Sequence, residues 1–244
     1  MANMSILNMI QVLANLKDMP AAEACFKEWE ARHIRPPNTK DYDATKTSSL
    51  ESESTTDAPN NNNQADVKGA KDKGTEDLGL KHPKYDIRVA NAMIKAYIAE
   101  GMLDKAIALK KRAKMRGGRL NAKTWEIFME HYLKEGDLKM AYWCVDRAIK
   151  KGHSSGRIWV PPREVTERLM VYFELNKDVD GAEKFVETLK KVQKDLGPFV
   201  FEPLIRTYAS AGKKFPGMQH RLKIENVEVS EGTAVLLDSI CVDQ

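Results

Sequence analysis

The sequence has few of the residues that mark metal proteins, secreted proteins and most enzymes. Its three cysteines, Cys25, Cys144 and Cys241, form no C-x-x-C pair and no cysteine–histidine ligand spacing. This pattern argues against a zinc site or a disulfide framework and indicates a reducing interior. The five histidines share no spacing with carboxylates or cysteines. We therefore expect no catalytic constellation, no metal and no cofactor.

Long apolar runs and a strong net charge are also missing. Of 244 residues, 42% are hydrophobic and 30% charged, which is typical of a soluble protein with a sizeable core, and no run is long enough to cross a bilayer. A net charge of +4 permits an RNA partner without requiring one. The first 19 residues lack arginine and resemble neither a signal nor a transit peptide, so import is not needed or the chain starts inside a longer one.

One stretch, residues 86–121, has the pattern of two helices folded against each other. Apolar residues recur every three or four positions over residues 87–98, and Gly101 is expected to end that helix. A second apolar pattern starts at Leu103 and stops at Gly117. Because such a hairpin is too small to bury its own apolar face, it should need copies of itself on either side.

Copies of this hairpin recur along the chain. Each combines an aromatic or apolar residue, a turn residue and a small residue, as Tyr97, Gly101 and Ala106 do in the central copy. The other copies are Leu13, Lys17 and Ala22; Tyr132, Gly136 and Ala141; Phe173, Lys177 and Ala182; and Tyr208, Gly212 and Gly217. Two of the four steps are 35 residues, one is 41, and the step from the first copy to the central copy is 84, which is 35 plus 49. We predict an all-α fold, an α-α superhelix (solenoid) of about four to five helix-hairpin repeats.

Three segments depart from this period. Residues 153–162 hold six extra residues and are predicted to be non-helical because they contain serine, glycine and paired proline. The last copy has a short second helix at about 218–225, and residues 229–241 are predicted to form one further first helix.

Residues 35–84 are polar, repetitive and nearly free of aromatic side chains, so we predict a disordered insertion between two repeats. This divides the chain into a first repeat at 1–34, which is possibly cut from a longer array, the insertion, and further repeats at 85–244 that end in a partial repeat. Stacking across the insertion requires its two ends to lie close together.

The repeat resembles the pentatricopeptide repeat family, in the plant organellar branch that has only standard-length repeats. The best match is VANAMIKAYIAEGMLDKAIAL, although tetratricopeptide repeats share the architecture with a period of 34. The resemblance implies a solenoid that binds single-stranded RNA in mitochondria or chloroplasts, one base per repeat. It places the base-reading positions at Asn91 with Asn121, and at Glu126, Glu167 and Glu202.

Only the asparagine pair has the side chains of a base reader, because both amides donate and accept hydrogen bonds. The three carboxylates would repel a phosphate backbone. Basic residues crowd the second helix of the central copy instead, and the candidates for phosphate contact are Lys110, Lys111, Arg112, Lys114 and Arg116. These cations either solvate a helix face or lie against folded RNA, as on a ribosome. Trp125 and Phe201 are predicted to be core residues rather than base-stacking residues.

Two hypotheses follow. The first is a non-enzymatic organellar RNA-associated protein, placed in the mitochondrion by the resemblance, that binds a single-stranded transcript or ribosomal RNA, with ribosomal or other proteins as further partners and no membrane. The alternative is a protein-binding scaffold, in which Glu126, Glu167 and Glu202 hold a basic peptide.

Overall fold

The computed structural model describes residues 3–33, 85–154, 156 and 158–241, and these residues form helices and no strand. The helices run in the following order: α1 Asn3–Asn15, α2 Met19–Arg32, α3 Ile87–Ala99, α4 Leu103–Met115, α5 Ala122–Glu135, α6 Leu138–Ser154, α7 Arg163–Leu175, α8 Val179–Lys190, α9 Pro198–Ser210, α10 Met218–Ile224 and α11 Glu231–Cys241. The predicted all-α fold is confirmed. The predicted insertion at 35–84 lies entirely outside the described residues.

Consecutive helices pair as hairpins, and the hairpins stack into two layers. The first helices form one layer, in which α1 contacts α3, α3 contacts α5, α7 contacts α9, and α9 contacts α11. Between α5 and α7 the Arg168 guanidinium donates a hydrogen bond to the Leu133 carbonyl at 2.9 Å. The second helices, α2, α4, α6, α8 and α10, form the other layer, which we call the outer wall.

The turns inside the hairpins share one backbone conformation. Gly101, Gly136 and Gly212 have φ angles of 73°, 80° and 65°, in the left-handed region that ends helices. Lys17 and Lys177, the turn residues of two other copies, have φ angles of 60° and 54°. The register deduced from the sequence is therefore present even where the turn residue is not glycine.

Alanine near the start of four of the five second helices lets the paired helices approach closely. Ala22, Ala106, Ala141 and Ala182 are all fully buried. A larger side chain would push the two helices of its hairpin apart, since interiors are packed without spare volume.

The prediction for residues 153–162 is wrong at its start, because α6 continues to Ser154. Glycine and serine lower helix propensity by about 1 kcal/mol or less each but keep their backbone donors. Proline lacks that donor, and within this segment the first proline is Pro161. The short second helix and the final first helix are confirmed as α10 and α11.

None of the helices in the described ranges combines the length and the apolar character needed to cross a membrane.

Replacing Phe185 with alanine should destabilise the stack. Its ring is fully buried and lies 5.5 Å from the Tyr142 ring and 5.9 Å from the Phe173 ring, centroid to centroid. We expect Phe185→Ala to lower the free energy of unfolding in urea by about 3–5 kcal/mol because it leaves a cavity. Leu175→Ala, at a side chain 77% exposed, is the control and should cost less than about 0.5 kcal/mol. Equal losses would contradict the described packing.

Candidate nucleic-acid interface

The two asparagines expected to read a base lie side by side and bond to each other. The Asn91 amide nitrogen donates to Asn121 Oδ1 at 3.2 Å, and the Thr124 hydroxyl donates to Asn91 Oδ1 at 2.9 Å. Asn121 also accepts from the Thr124 backbone N–H at 3.1 Å, which makes it the N-cap of α5. Asn91 is only 5% exposed. The Asn121 side-chain nitrogen, Nδ2, makes no hydrogen bond with any residue that the structure describes.

Two of the carboxylates in the base-reading register are partly neutralised by neighbours on their own helices. Glu126 lies 3.0 Å from the Lys123 ammonium, and Glu167 lies 2.8 Å from the Arg163 guanidinium. Both pairs are solvent-accessible and span three or four residues, so each contributes little to stability. They do reduce the negative potential along the first-helix layer.

Glu202 has a structural contact that its sequence position does not reveal. Its carboxylate accepts a hydrogen bond from the Ser230 backbone N–H at 2.7 Å, just before α11 begins. The Arg206 guanidinium lies 3.8 Å from the same carboxylate. Glu202 therefore holds the start of the last helix, and its role as a base reader stays a prediction.

Two of the five candidate phosphate contacts are engaged inside the protein. Arg112 and Arg116 lie 3.1 Å and 2.8 Å from Glu30, whose carboxylate is almost completely buried. The Tyr85 hydroxyl also donates to Glu30, at 3.4 Å, and the Tyr85 ring packs edge-on against Trp29 at 5.1 Å. This cluster, which we call the Glu30 cluster, joins the residues that flank the 34–84 segment. Stacking across the predicted insertion requires its two ends to lie close together, and the contacts of Tyr85 with Glu30 and Trp29 meet this requirement.

Lys110 lies in an aromatic cage. Its ammonium is 4.9 Å, 4.8 Å and 5.8 Å from the ring centroids of Trp125, Phe128 and Trp143. Burial lowers the pKa of Lys110 below its usual value, with smaller contributions from other charges that include Lys111. The other copies place buried apolar residues at this register: Phe26, Val145 and Val186. Lys110 is therefore an interior cation between two hairpins.

The remaining two candidates, Lys111 and Lys114, are exposed, and neither forms an ion pair with any residue that the structure describes. The outer wall continues onto α6 with further exposed cations, Lys139, Arg147 and Lys151. Lys139 was not singled out in the sequence, although its spacing of four residues before Trp143 and eight before Arg147 puts it on their helix face. Exposed cations without an ion pair in the described residues are thus clustered on α4 and α6, while the first-helix layer carries single ones such as Lys95 and Lys134.

The other residues weighed in the sequence are interior. Trp125 and Phe201 are buried as predicted, and the Trp125 indole N–H has no acceptor among the described residues. Cys144 is fully buried, and burial raises the pKa of its thiol to about 12, so it is not a nucleophile at neutral pH. Across the described ranges, no three histidine, cysteine or acidic side chains are grouped closely enough to hold a metal ion.

Comparison with known proteins agrees with the hairpin register. The family model described as the PPR repeat matches residues 89–118, which cover α3 and α4. The chain belongs to the pentatricopeptide repeat family. Its other hairpins repeat the left-handed turn of the matched copy, and three of them also repeat its buried alanine.

Relatives of this pentatricopeptide repeat chain occur in Arabidopsis thaliana. It is 43% identical over 242 residues to large ribosomal subunit protein mL101, a match that covers 99% of this chain and 39% of the relative. Two pentatricopeptide repeat-containing proteins named as mitochondrial are 32% and 31% identical over 157 residues, which is 64% of this chain and 30% and 29% of theirs. The chain thus spans about two fifths of mL101 and less than a third of the other two.

The Glu30 cluster should stabilise the joint between the first two repeats. Glu30→Gln keeps the side-chain size but removes the charge that faces Arg112 and Arg116. We expect the free energy of unfolding in urea to fall by about 1–3 kcal/mol, since hydrogen bonds to a buried charged group are lost. Glu28→Gln is the matched control, because Glu28 is exposed and pairs with Arg32 on the same helix. That variant should change stability by less than about 0.5 kcal/mol, and a larger effect than that of Glu30→Gln would contradict the assignment.

Proposed function

We propose that this chain is a non-enzymatic, RNA-associated part of a mitochondrial ribonucleoprotein, and that the assembly is the large ribosomal subunit. The observation that carries the proposal is the 43% identity to large ribosomal subunit protein mL101 along 99% of the chain. The mitochondrial names of two other relatives support the compartment. The match to mL101 includes residues on both sides of the 34–84 segment, so it is not limited to one generic repeat.

The distribution of charge supports binding to folded RNA rather than base-by-base reading. In the base-reading register, Asn91 is buried and hydrogen-bonded, and Asn121 is the N-cap of α5. Glu202 holds a helix start, and Glu126 and Glu167 are carboxylates paired with neighbouring cations. On the outer wall, Lys111 and Lys114 have no ion-pair partner in the described part of the chain. Phosphate contacts of this kind position a protein on RNA without reading its sequence. We therefore assign RNA contact to the outer wall.

A protein partner on the first-helix layer is the second candidate. Glu167, Val171 and Leu175 follow one another at four-residue spacing on α7, and both apolar side chains are exposed. An acidic residue in line with exposed apolar side chains fits a basic amphipathic helix. Leu175→Lys should then abolish capture of such a helix without changing RNA affinity, and an unchanged capture would exclude this surface.

Charge reversal on the outer wall should weaken RNA binding. We expect Lys111→Glu combined with Lys114→Glu to lower the affinity for a structured ribosomal RNA fragment at least tenfold at low salt. The slope of log affinity against log salt should also fall by about 2, since each lost phosphate contact removes about 1. The measurement is fluorescence anisotropy across a salt series.

The matched control reverses two exposed lysines of the first-helix layer, Lys95 and Lys134, which gives the same change in net charge. At about 0.1 M salt within the same series, this variant should bind within about threefold of the original chain, because charges more than about 10 Å from the bound phosphates are largely screened there. A larger loss in the control than in the outer-wall variant would move the RNA to the other layer.

Sedimentation tests the assembly. The tagged chain in a mitochondrial lysate should migrate with the large ribosomal subunit and move to lighter fractions after ribonuclease treatment. A pool that stays at the size of free protein under low salt would contradict a ribosomal role.

A further inference from the structure

The outermost ridge of α6 combines cations with a tryptophan. Four exposed residues follow one another at four-residue spacing: Lys139, Trp143, Arg147 and Lys151. Residues four apart form a continuous row on a helix surface, and each step advances about 6 Å along the axis. Within the described residues, none of the three cations forms an ion pair. The nearby Asp146 carboxylate pairs with Lys150 on the same helix at 2.6 Å.

The repeat architecture does not require a large side chain where Trp143 lies. The equivalent residue, two positions after the buried alanine, is exposed in three other hairpins and is Ala24, Ala108 or Lys184. Trp143 is 37% exposed. A tryptophan at a position that otherwise faces solvent is therefore not explained by the shared core.

Contacts with three neighbouring side chains hold the Trp143 ring in one orientation. Trp125 meets it edge-on, with centroids 5.0 Å apart and planes at 85°. The Lys110 ammonium lies 5.8 Å and the Arg147 guanidinium 5.1 Å from its centroid. The ring is thus held in place on the outer wall, with the Arg147 guanidinium lying over it, and a stacked base would take the place of this exposed side chain while Arg147 turns to a phosphate.

We propose that Trp143, with Lys139 and Arg147 beside it, is a stacking site for an unpaired nucleobase of the bound RNA. This inference rests on the proposed function, which supplies RNA at the outer wall, and it adds the class of RNA. An aromatic ring stacks on the π-face of any base, and adjacent cations bind the phosphates on either side. A base inside a continuous duplex is already stacked on its neighbours, so the site selects a bulge, loop or strand end.

Two RNA hairpins test this site on the full 244-residue chain. They are identical except that one carries a single-nucleotide bulge of 2-aminopurine, whose fluorescence is quenched on stacking. The original chain should bind the bulged hairpin more tightly than the duplex hairpin and quench its fluorescence. Trp143→Ala introduces the residue found at this register in two other hairpins. It should weaken binding of the bulged hairpin by about tenfold or more, the loss of one stacked base, and leave duplex binding within twofold.

The matched control is Lys184→Ala, which makes an exposed truncation at the same register of α8 and should reduce binding of the two hairpins equally. Helix content and thermal unfolding report whether Trp143→Ala folds. If Trp143→Ala does not fold, Trp143→Phe is used instead because it keeps an aromatic ring. The original chain and Trp143→Phe should then both quench the 2-aminopurine fluorescence.

The outcomes distinguish the stacking site at Trp143 from RNA binding at the outer wall as a whole. Selective loss for the bulged hairpin, with quenching in the original chain, supports the stacking site. Equal loss for both hairpins, no loss, or no quenching overturns the stacking site, while salt-dependent binding would leave the outer-wall proposal intact. If the original chain binds neither hairpin at low salt, both proposals are overturned.

Discussion

The structure depends on the inability of a two-helix hairpin to bury its own apolar face. Ala22, Ala106, Ala141 and Ala182 are fully buried near the starts of their second helices. The buried Phe173 ring also contacts the Tyr142 ring of the preceding hairpin, with centroids 5.1 Å apart. Each hairpin therefore needs a neighbour, and the same contact recurs down the chain. Left-handed turns after the first helix, at glycine and lysine alike, keep every hairpin in this register.

Polar groups at the joints between hairpins are held by that stacking and are not free for RNA. The Glu30 cluster binds two of the arginines that a sequence reading assigns to phosphate, and Asn91 is occupied by the N-cap of the next repeat. A residue buried at a joint must satisfy its hydrogen bonds inside the protein, since an unpaired buried polar group is costly. Side chains that could bind RNA are therefore bonded inside the protein wherever they lie at a joint between hairpins.

What remains for binding is what the stack leaves exposed. On the first-helix layer this is a mixture of paired carboxylates, single lysines such as Lys95 and Lys134, and exposed apolar residues on α7. On the outer wall it is a set of cations without carboxylate partners in the described residues, together with Trp143. We propose ribosomal RNA as the partner of that wall, because it combines phosphates with unpaired bases, and the similarity to a large ribosomal subunit protein supports this proposal.

The sequence by itself determined the helices, the period, the turn positions and the family, because these follow from local spacing and from comparison of one copy with the next. It also identified the basic second helices. It did not show which cations are free, since Lys110, Arg112 and Arg116 differ from Lys111 and Lys114 only in what lies across the joint. Tertiary structure alone decided that, and it also set the exposure of Trp143, because burial and pairing depend on residues that are distant along the chain.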